Sequence, residues 1–310
     1  MTVGAVGDPM MRSAVAPFLA SWAEPFAQGF FVRALIVAIV AGALCGLLSG
    51  FVTLRGMSYL GHGLSHSVFG GAAIATAIPI AASGGIAGAL ADQRLLLGAA
   101  LWGLLTGDGI VVVSRRGLIG ADTAIGVITT ASFALGLVLK ALNRRVERNI
   151  EGSLFGSILG VDQTDVVTVV LVTALAFAFV VLAYRPLLFL TFDPQVAGVS
   201  GVRVNVLDSA LMLLLSLAVL ATMKVLGVTL IAAMLVTPAA VARMMTDSFP
   251  RLLAFGAAVG AVGAGLGMYV SYFTDTPSGA TIVLVESLAF LVAFTVAGTR
   301  RRRLAGMHAH

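Results

Sequence analysis

Apolar residues run in long blocks along this chain, and the charged residues fall mostly between the blocks. A helix of about 20 apolar residues crosses the ~30 Å hydrocarbon core of a bilayer. By that measure the pattern predicts about nine spans, at 30–54, 59–79, 95–113, 121–142, 165–184, 207–223, 226–245, 252–273 and 280–297. The expected fold class is therefore all-α: a polytopic membrane protein with about nine transmembrane helices, within a range of about 8–10. Residues 30–299 read as one membrane domain, residues 300–310 as a short tail, and 81–91 as a small-residue loop. Residues 1–29 read as an N-terminal tail with a short amphipathic piece around Trp22 and Phe26. That tail lacks a charged start, an apolar middle and a cleavage site in order, so no removable signal peptide is expected.

Two connections stand out. Residues 143–164 are first polar and then glycine-rich, and the piece from Gly152 to Gly160 is too short to span. Residues 193–204 carry a helix signature: Asp193 as N-cap, Pro194 at the first helical position and Gly201 as the stop. Gln195 and Ala197 fall on this short surface helix. Its competing reading is an ordinary ordered loop.

Charge adds orientation. Cytoplasmic loops of membrane proteins are enriched in Lys and Arg. Arg300 to Arg303 place the C-terminus in the cytoplasm, and alternation then puts Arg243, Arg251, Arg185, Arg203, Arg115, Arg116 and Arg55 on the same side. Arg144, Arg145 and Arg148 fall on the opposite side. Either the span count is off by one there, or those arginines face an external partner.

Composition removes several classes of function. Of 310 residues, 59% are hydrophobic and 11% charged, which no soluble domain needs. The net charge of +5 is topology information and not a nucleic-acid footprint. The single cysteine, Cys45, can form no internal disulfide. No phosphate-binding loop is present, so ATP hydrolysis is not expected on this chain, nor is a permanently bound cofactor.

The candidate chemistry lies in the second span. His62 and His66 are four residues apart and share one helix face. Ionisable groups at membrane depth are costly and mark ion or substrate paths, and imidazole is a common transition-metal ligand. The plain alternative is a pair of packing histidines. Glu286 is an intramembrane carboxyl that either faces a path or pairs with a neighbouring helix. Asp275 either gates the outer mouth or caps the next helix. Pro238 removes a backbone donor inside the seventh span and is expected to kink it. Asp208 and Lys224 read as interfacial anchors, and the scattered methionines as packing.

Four stretches taken together resemble one family, the integral permeases of bacterial ATP-binding-cassette importers for manganese, zinc and sometimes iron. They are 54–66 (Leu54-Arg55-Gly56-Met57-Ser58-Tyr59-Leu60-Gly61-His62-Gly63-Leu64-Ser65-His66), 152–157 (Gly152-Ser153-Leu154-Phe155-Gly156-Ser157), 225–243 around Thr237-Pro238-Ala239-Ala240, and 275–284 from Asp275-Thr276-Pro277-Ser278-Gly279. The resemblance covers about residues 30 to 298. It implies a type II importer fold in the bacterial cytoplasmic membrane, with a homodimer of permeases around a central path. It further implies two cytoplasmic ATP-binding subunits and an extracytoplasmic metal-binding protein that delivers Mn2+ or Zn2+. Asp193, Pro194, Gln195, Ala197 and Gly201 then match the helix that meets the ATPase. Arg144, Arg145 and Arg148 match the face on which the binding protein docks. His66 matches a histidine of the family's metal site. Many relatives carry an aspartate at the position of His62. Two imidazoles tilt the ligand set towards zinc, although geometry and availability usually decide metal choice.

Two other classes compete. An intramembrane metalloenzyme would need a third ligand and an acid/base, and no His-Glu-x-x-His pattern occurs. A gradient-driven secondary transporter would use Glu286 as its coupling carboxylate.

Overall fold

The structure is a computed structural model that describes residues 24–77, 87–115, 119–142, 161–227 and 230–307. Every regular element among them is helical. After a single 3-10 turn at Glu24–Ala27, the chain forms α1 (Gly29–Leu54), α2 (Leu60–Ala77), α3 (Ala87–Arg115), α4 (Ala121–Leu142) and α5 (Gln163–Leu182). Two short helices follow, α6 (Tyr184–Phe192) and α7 (Pro194–Val199). The chain continues through α8 (Val204–Leu226), α9 (Ile231–Met234), α10 (Thr237–Met245), α11 (Phe249–Thr274) and α12 (Ser278–Met307).

The α1 helix is the centre of the molecule. It is apolar all round, and such a helix is stable only when surrounded by protein or lipid. Here 72% of its span is buried inside the protein, against 22% for α5 and 17% for α12. Those two helices stand at the periphery and turn Leu171, Leu182, Leu284 and Leu288 outward. Lipid tails give no hydrophobic drive for helix association, so close packing depends on small residues. Gly42, Gly46 and Gly50 form a row four residues apart, and they face α11. A Cβ on Gly42 would run into the Gly260 carbonyl, and one on Gly46 into the Gly256 carbonyl. The two helices run antiparallel. Gln28 donates to the Tyr272 hydroxyl at 2.8 Å at one end, and Phe51 meets Phe249 edge-on at 5.7 Å at the other.

A second group forms around α2, which packs against α3 and α4. Trp102 on α3 donates its indole N–H to Ser132 on α4 at 2.6 Å, and Ser132 donates to Ser67 on α2 at 3.4 Å. This chain of polar contacts ties the three helices at one level. The α8 helix touches both groups, packing on α1, α2 and α3.

Six helices among the described residues are long and apolar enough to cross a membrane: α1, α4, α5, α8, α11 and α12. The three remaining expected spans fall on α2, on α3 and on the shorter apolar stretch Ile231–Met245. Several boundaries differ from the pattern-based reading. The 81–91 loop is already helical from Ala87, because alanine-rich sequence carries helix as readily as loop. The fifth span is followed at once by α6, with Pro186 in its first turn, where a missing N–H costs nothing. The expected continuous seventh span is broken between α9 and α10 at Leu235–Val236. Pro238 therefore does not kink a helix; it starts one. At the C-terminus the apolar span ends at Thr299, and α12 continues as helix through the arginines to Met307. Of the predicted tail, residues 1–23 lie outside the described residues, as do 143–160 of the outer segment.

Candidate functional site

The α2 helix is positioned by the turn that precedes it. Arg55, Gly56 and Met57 donate their N–H groups to Phe51, Thr53 and Val52, which closes the end of α1. Gly56 takes φ +66, a left-handed conformation open to glycine at no steric cost. The Leu60 N–H then bonds back to the Met57 carbonyl at 2.8 Å and opens α2. His62 follows in the first turn.

The first turns of α2 are wedged between two neighbours. Gly61 faces Leu235 and Ala232 at the break between α9 and α10. Gly63 faces α4, where an added Cβ would lie 2.6 Å from Thr129 Cγ2 and 2.9 Å from Ile125 Cγ2. These contacts fix the rotation of the helix and hence the face that carries the histidines. The His62 and His66 rings meet edge-on at 4.4 Å, with their Nε2 atoms 3.1 Å apart. Tyr59 flanks His62 at 5.5 Å, and Phe133 of α4 flanks His66 at 4.7 Å. Both imidazoles are half-buried, and His66 Nδ1 has no hydrogen-bond partner among the described residues.

This spacing suits a shared cation. Two nitrogens bound to one tetrahedral zinc at about 2.0–2.1 Å stand about 3.3 Å apart. The 3.1 Å observed is close to that; it is also a hydrogen bond between the two rings, with donor and acceptor set by their tautomers, and with both Nε2 atoms unprotonated the pair can face one ion. Among the described residues, no group of three or more His, Cys, Asp and Glu side chains gathers to hold a metal. Among the described residues the pair thus offers two nitrogen donors.

The other predicted residues lie apart from the pair. Glu286 on α12 is 1% exposed, and its carboxyl packs on α11 at Gly263. Neither carboxyl oxygen has a hydrogen-bond partner among the described residues, so the helix-pairing reading of Glu286 finds no bonded neighbour there. Asp275 is exposed and ends α11 in the left-handed conformation, φ 51. It terminates the preceding helix through its backbone; the following helix begins at Ser278. Pro238 is buried in the first turn of α10. At α7, a helix from Pro194 to Val199, the capping signature is present. The Asp193 carboxylate accepts from the N–H groups of Gln195 and Val196, both at 3.0 Å, Pro194 sits in the first turn, and Gly201 turns the chain at φ +81. Gln195 is exposed and Ala197 buried. Arg144, Arg145 and Arg148 lie outside the described residues.

One pair escaped the pattern-based reading. Asp208 is no interfacial anchor: it is buried, and Arg55 Nη2 donates to its Oδ1 at 2.6 Å. Both residues stand at span ends on the side assigned to the cytoplasm, which was a usable hint.

A family model described as the ABC 3 transport family matches residues 27–297. The chain belongs to that family. It is accordingly a membrane permease subunit of an ABC transporter, a transport component and not an enzyme. It is 37% identical over 265 residues to the manganese transport system membrane protein MntC of Halalkalibacterium halodurans, with 86% of each chain covered. It is 32% identical to the manganese import system permease protein ScaB of Streptococcus parasanguinis, over 91% of this chain and 95% of that one. A probable iron transport system membrane protein of Haemophilus influenzae is 31% identical, over 90% of this chain and 98% of that one. Among solved structures, PsaBC from Streptococcus pneumoniae in complex with Fab superposes with a TM-score of 0.76 at 31% identity, covering 89% of this permease and 95% of that chain. A putative metal-chelate type ABC transporter in an inward-facing conformation shares the fold, with a TM-score of 0.63 at 18% identity, over 95% of this chain and 91% of that one.

Proposed function

We propose that this permease moves a divalent transition-metal cation inward, and that His62 and His66 hold the ion in transit. The observation that carries this reading is the 3.1 Å approach of the two Nε2 atoms on one face of a membrane helix. Conduction needs binding strong enough to admit the ion and weak enough to release it. Two ligands from one chain meet that need. In a homodimer the second copy brings two more imidazoles to the axis. Manganese is the cargo named for several of the relatives. The all-imidazole pair, with no carboxylate, favours zinc on ligand preference.

Nine spans fit the helix directions. The antiparallel α1 and α11 are then spans one and eight. The α2 and α4 helices meet in rising register, Gly63 at Thr129 and Gly70 at Ser132, as spans two and four. With the C-terminus inside the cell, α7 lies on the cytoplasmic face. There Asp193, Pro194, Gln195, Ala197 and Gly201 form the helix that docks into one of two ATP-binding subunits. Arg144, Arg145 and Arg148 face the other side and receive an acidic surface of the metal-binding protein. The buried carboxyl of Glu286 lies along the path, with Asp275 at its outer corner and Pro238 at the break beside α2.

The test is metal accumulation in cells lacking their own uptake systems, supplied with this permease, its ATPase and its binding protein. Wild type accumulates manganese or zinc. His66→Ala loses uptake while still assembling with the ATPase, and His62→Asp shifts preference towards manganese. Normal uptake by His66→Ala rules the site out. Uptake that follows the proton gradient and needs no ATPase replaces this reading with secondary transport.

A further inference from the structure

Arg55 and Asp208 stand 153 positions apart in sequence and meet through a charge-assisted hydrogen bond of 2.6 Å. Their side chains are 13% and 3% exposed. Burying two charges is expensive, and such pairs are weak evidence of a purely stabilising role. The position of each partner suggests another. Arg55 closes α1 and precedes Gly56, the left-handed residue of the turn from which α2 starts. His62 lies seven residues further on. Asp208 stands in the second turn of α8, fifteen residues after Asp193, the cap of α7.

The connection from α7 to α8 is short and bonded throughout. Ser200, Gly201 and Val202 donate their N–H groups to Val196, Gly198 and Ala197, and Leu207 donates to Arg203. A displacement of α7 therefore carries the start of α8 with it. At the other end, the Met57 and Leu60 N–H groups join the turn to both α1 and α2. The guanidinium is also only partly satisfied: buried Arg55 Nη1 has no hydrogen-bond partner among the described residues. A group with a spare donor can hold a second arrangement when its partner shifts, which is what a coupling element requires.

We propose that the Arg55–Asp208 pair is the positioning link that couples the α7–α8 segment to the His62-bearing start of α2. This rests on the transport reading above. Movement imposed at α7 reaches the start of α2 through this bond as well as through the packing of α8 on α2, and without it most ATP turnover leaves the histidines in place.

The experiment uses the complete complex in proteoliposomes, with manganese and zinc uptake and ATP hydrolysis measured on the same vesicles. The variants are Asp208→Asn, Arg55→Gln, and the exchanged pair Arg55→Asp with Asp208→Arg. Each single variant is expected to lower cations moved per ATP by about tenfold, with hydrolysis kept within about threefold, and the exchanged pair to recover most of the ratio. Single variants with the wild-type ratio overturn the link. So does a loss of uptake that only follows loss of assembled complex, with no recovery in the exchanged pair. If the single variants do not assemble, the exchanged pair decides. A coupled exchanged pair supports the link; one that is uncoupled or unassembled overturns it. Wild-type complex that hydrolyses ATP and moves neither cation removes the transport reading itself, and the link with it.

Discussion

Glu286 shows how much a single side chain can ask of a fold. It is 1% exposed, and both carboxyl oxygens lack hydrogen-bond partners among the described residues. A buried polar group left unpaired costs about 1–3 kcal/mol. Replacing Glu286 by methionine, apolar and of similar length, is expected to raise unfolding stability by about that amount. Metal uptake is expected to fall at the same time, the pattern of a group kept at the expense of stability. A thermal melt of the purified permease and an uptake assay read the two quantities separately. A variant that is less stable yet fully active assigns Glu286 to packing. At this scale the sequence was legible where partners are local. The His62–His66 pair and the Asp193 cap depend on spacings of two to four residues. The Arg55–Asp208 pair was legible only as two charges at span ends on one side, because nothing within a span tells which of its distant neighbours will carry the opposite charge.

Among the elements, the seam between α1 and α11 is the least forgiving. Gly46 and Gly256 bring the two backbones into contact, and no side-chain atom fits between them. Gly46→Leu is expected to cost about 3 kcal/mol or more, because neither backbone can retreat without opening the whole helix pair. Gly126 on α4 has nothing within 4 Å of an added Cβ. Gly126→Ala is therefore expected to be neutral or to gain up to about 1 kcal/mol. The monodisperse yield and melting midpoint of both variants check this. A Gly46→Leu protein that behaves like wild type would show that the seam is not a close contact. Span positions were largely legible, since long apolar blocks leave little choice. Their interruptions were not. The run from Leu226 to Met245 is apolar on both sides of the Leu235–Val236 break, and hydrophobicity alone cannot separate one helix from two. Likewise the fifth span runs almost directly into α6, because Pro186 in a first turn begins a helix as easily as it would end one.

For the molecule as a whole, orientation is the property that the arginine pattern supplies and the fold alone does not. Cys45 is fully buried, so the unaltered chain is expected to stay silent to a membrane-impermeant maleimide. Val199, at the end of α7, is 93% exposed. Val199→Cys is expected to label in inside-out vesicles and not in intact spheroplasts. The reverse result would invert the topology read from the arginines. The α1–α11 seam also has a consequence for biogenesis. Gly260 follows Gly42 by 218 residues, so α1 enters the bilayer long before the helix that completes its contact has been made. At about 5–20 residues per second, translation leaves α1 waiting about 10–40 s. Its 26 residues, about 39 Å of almost wholly apolar helix, allow its glycine face to lie against lipid for that time, while earlier helices such as α5 and α8 pack elsewhere on it. The last third of the chain then closes around a first helix that has been parked in the membrane, and a ribosome that stalls before α11 leaves a glycine-lined groove open to any neighbouring nascent chain.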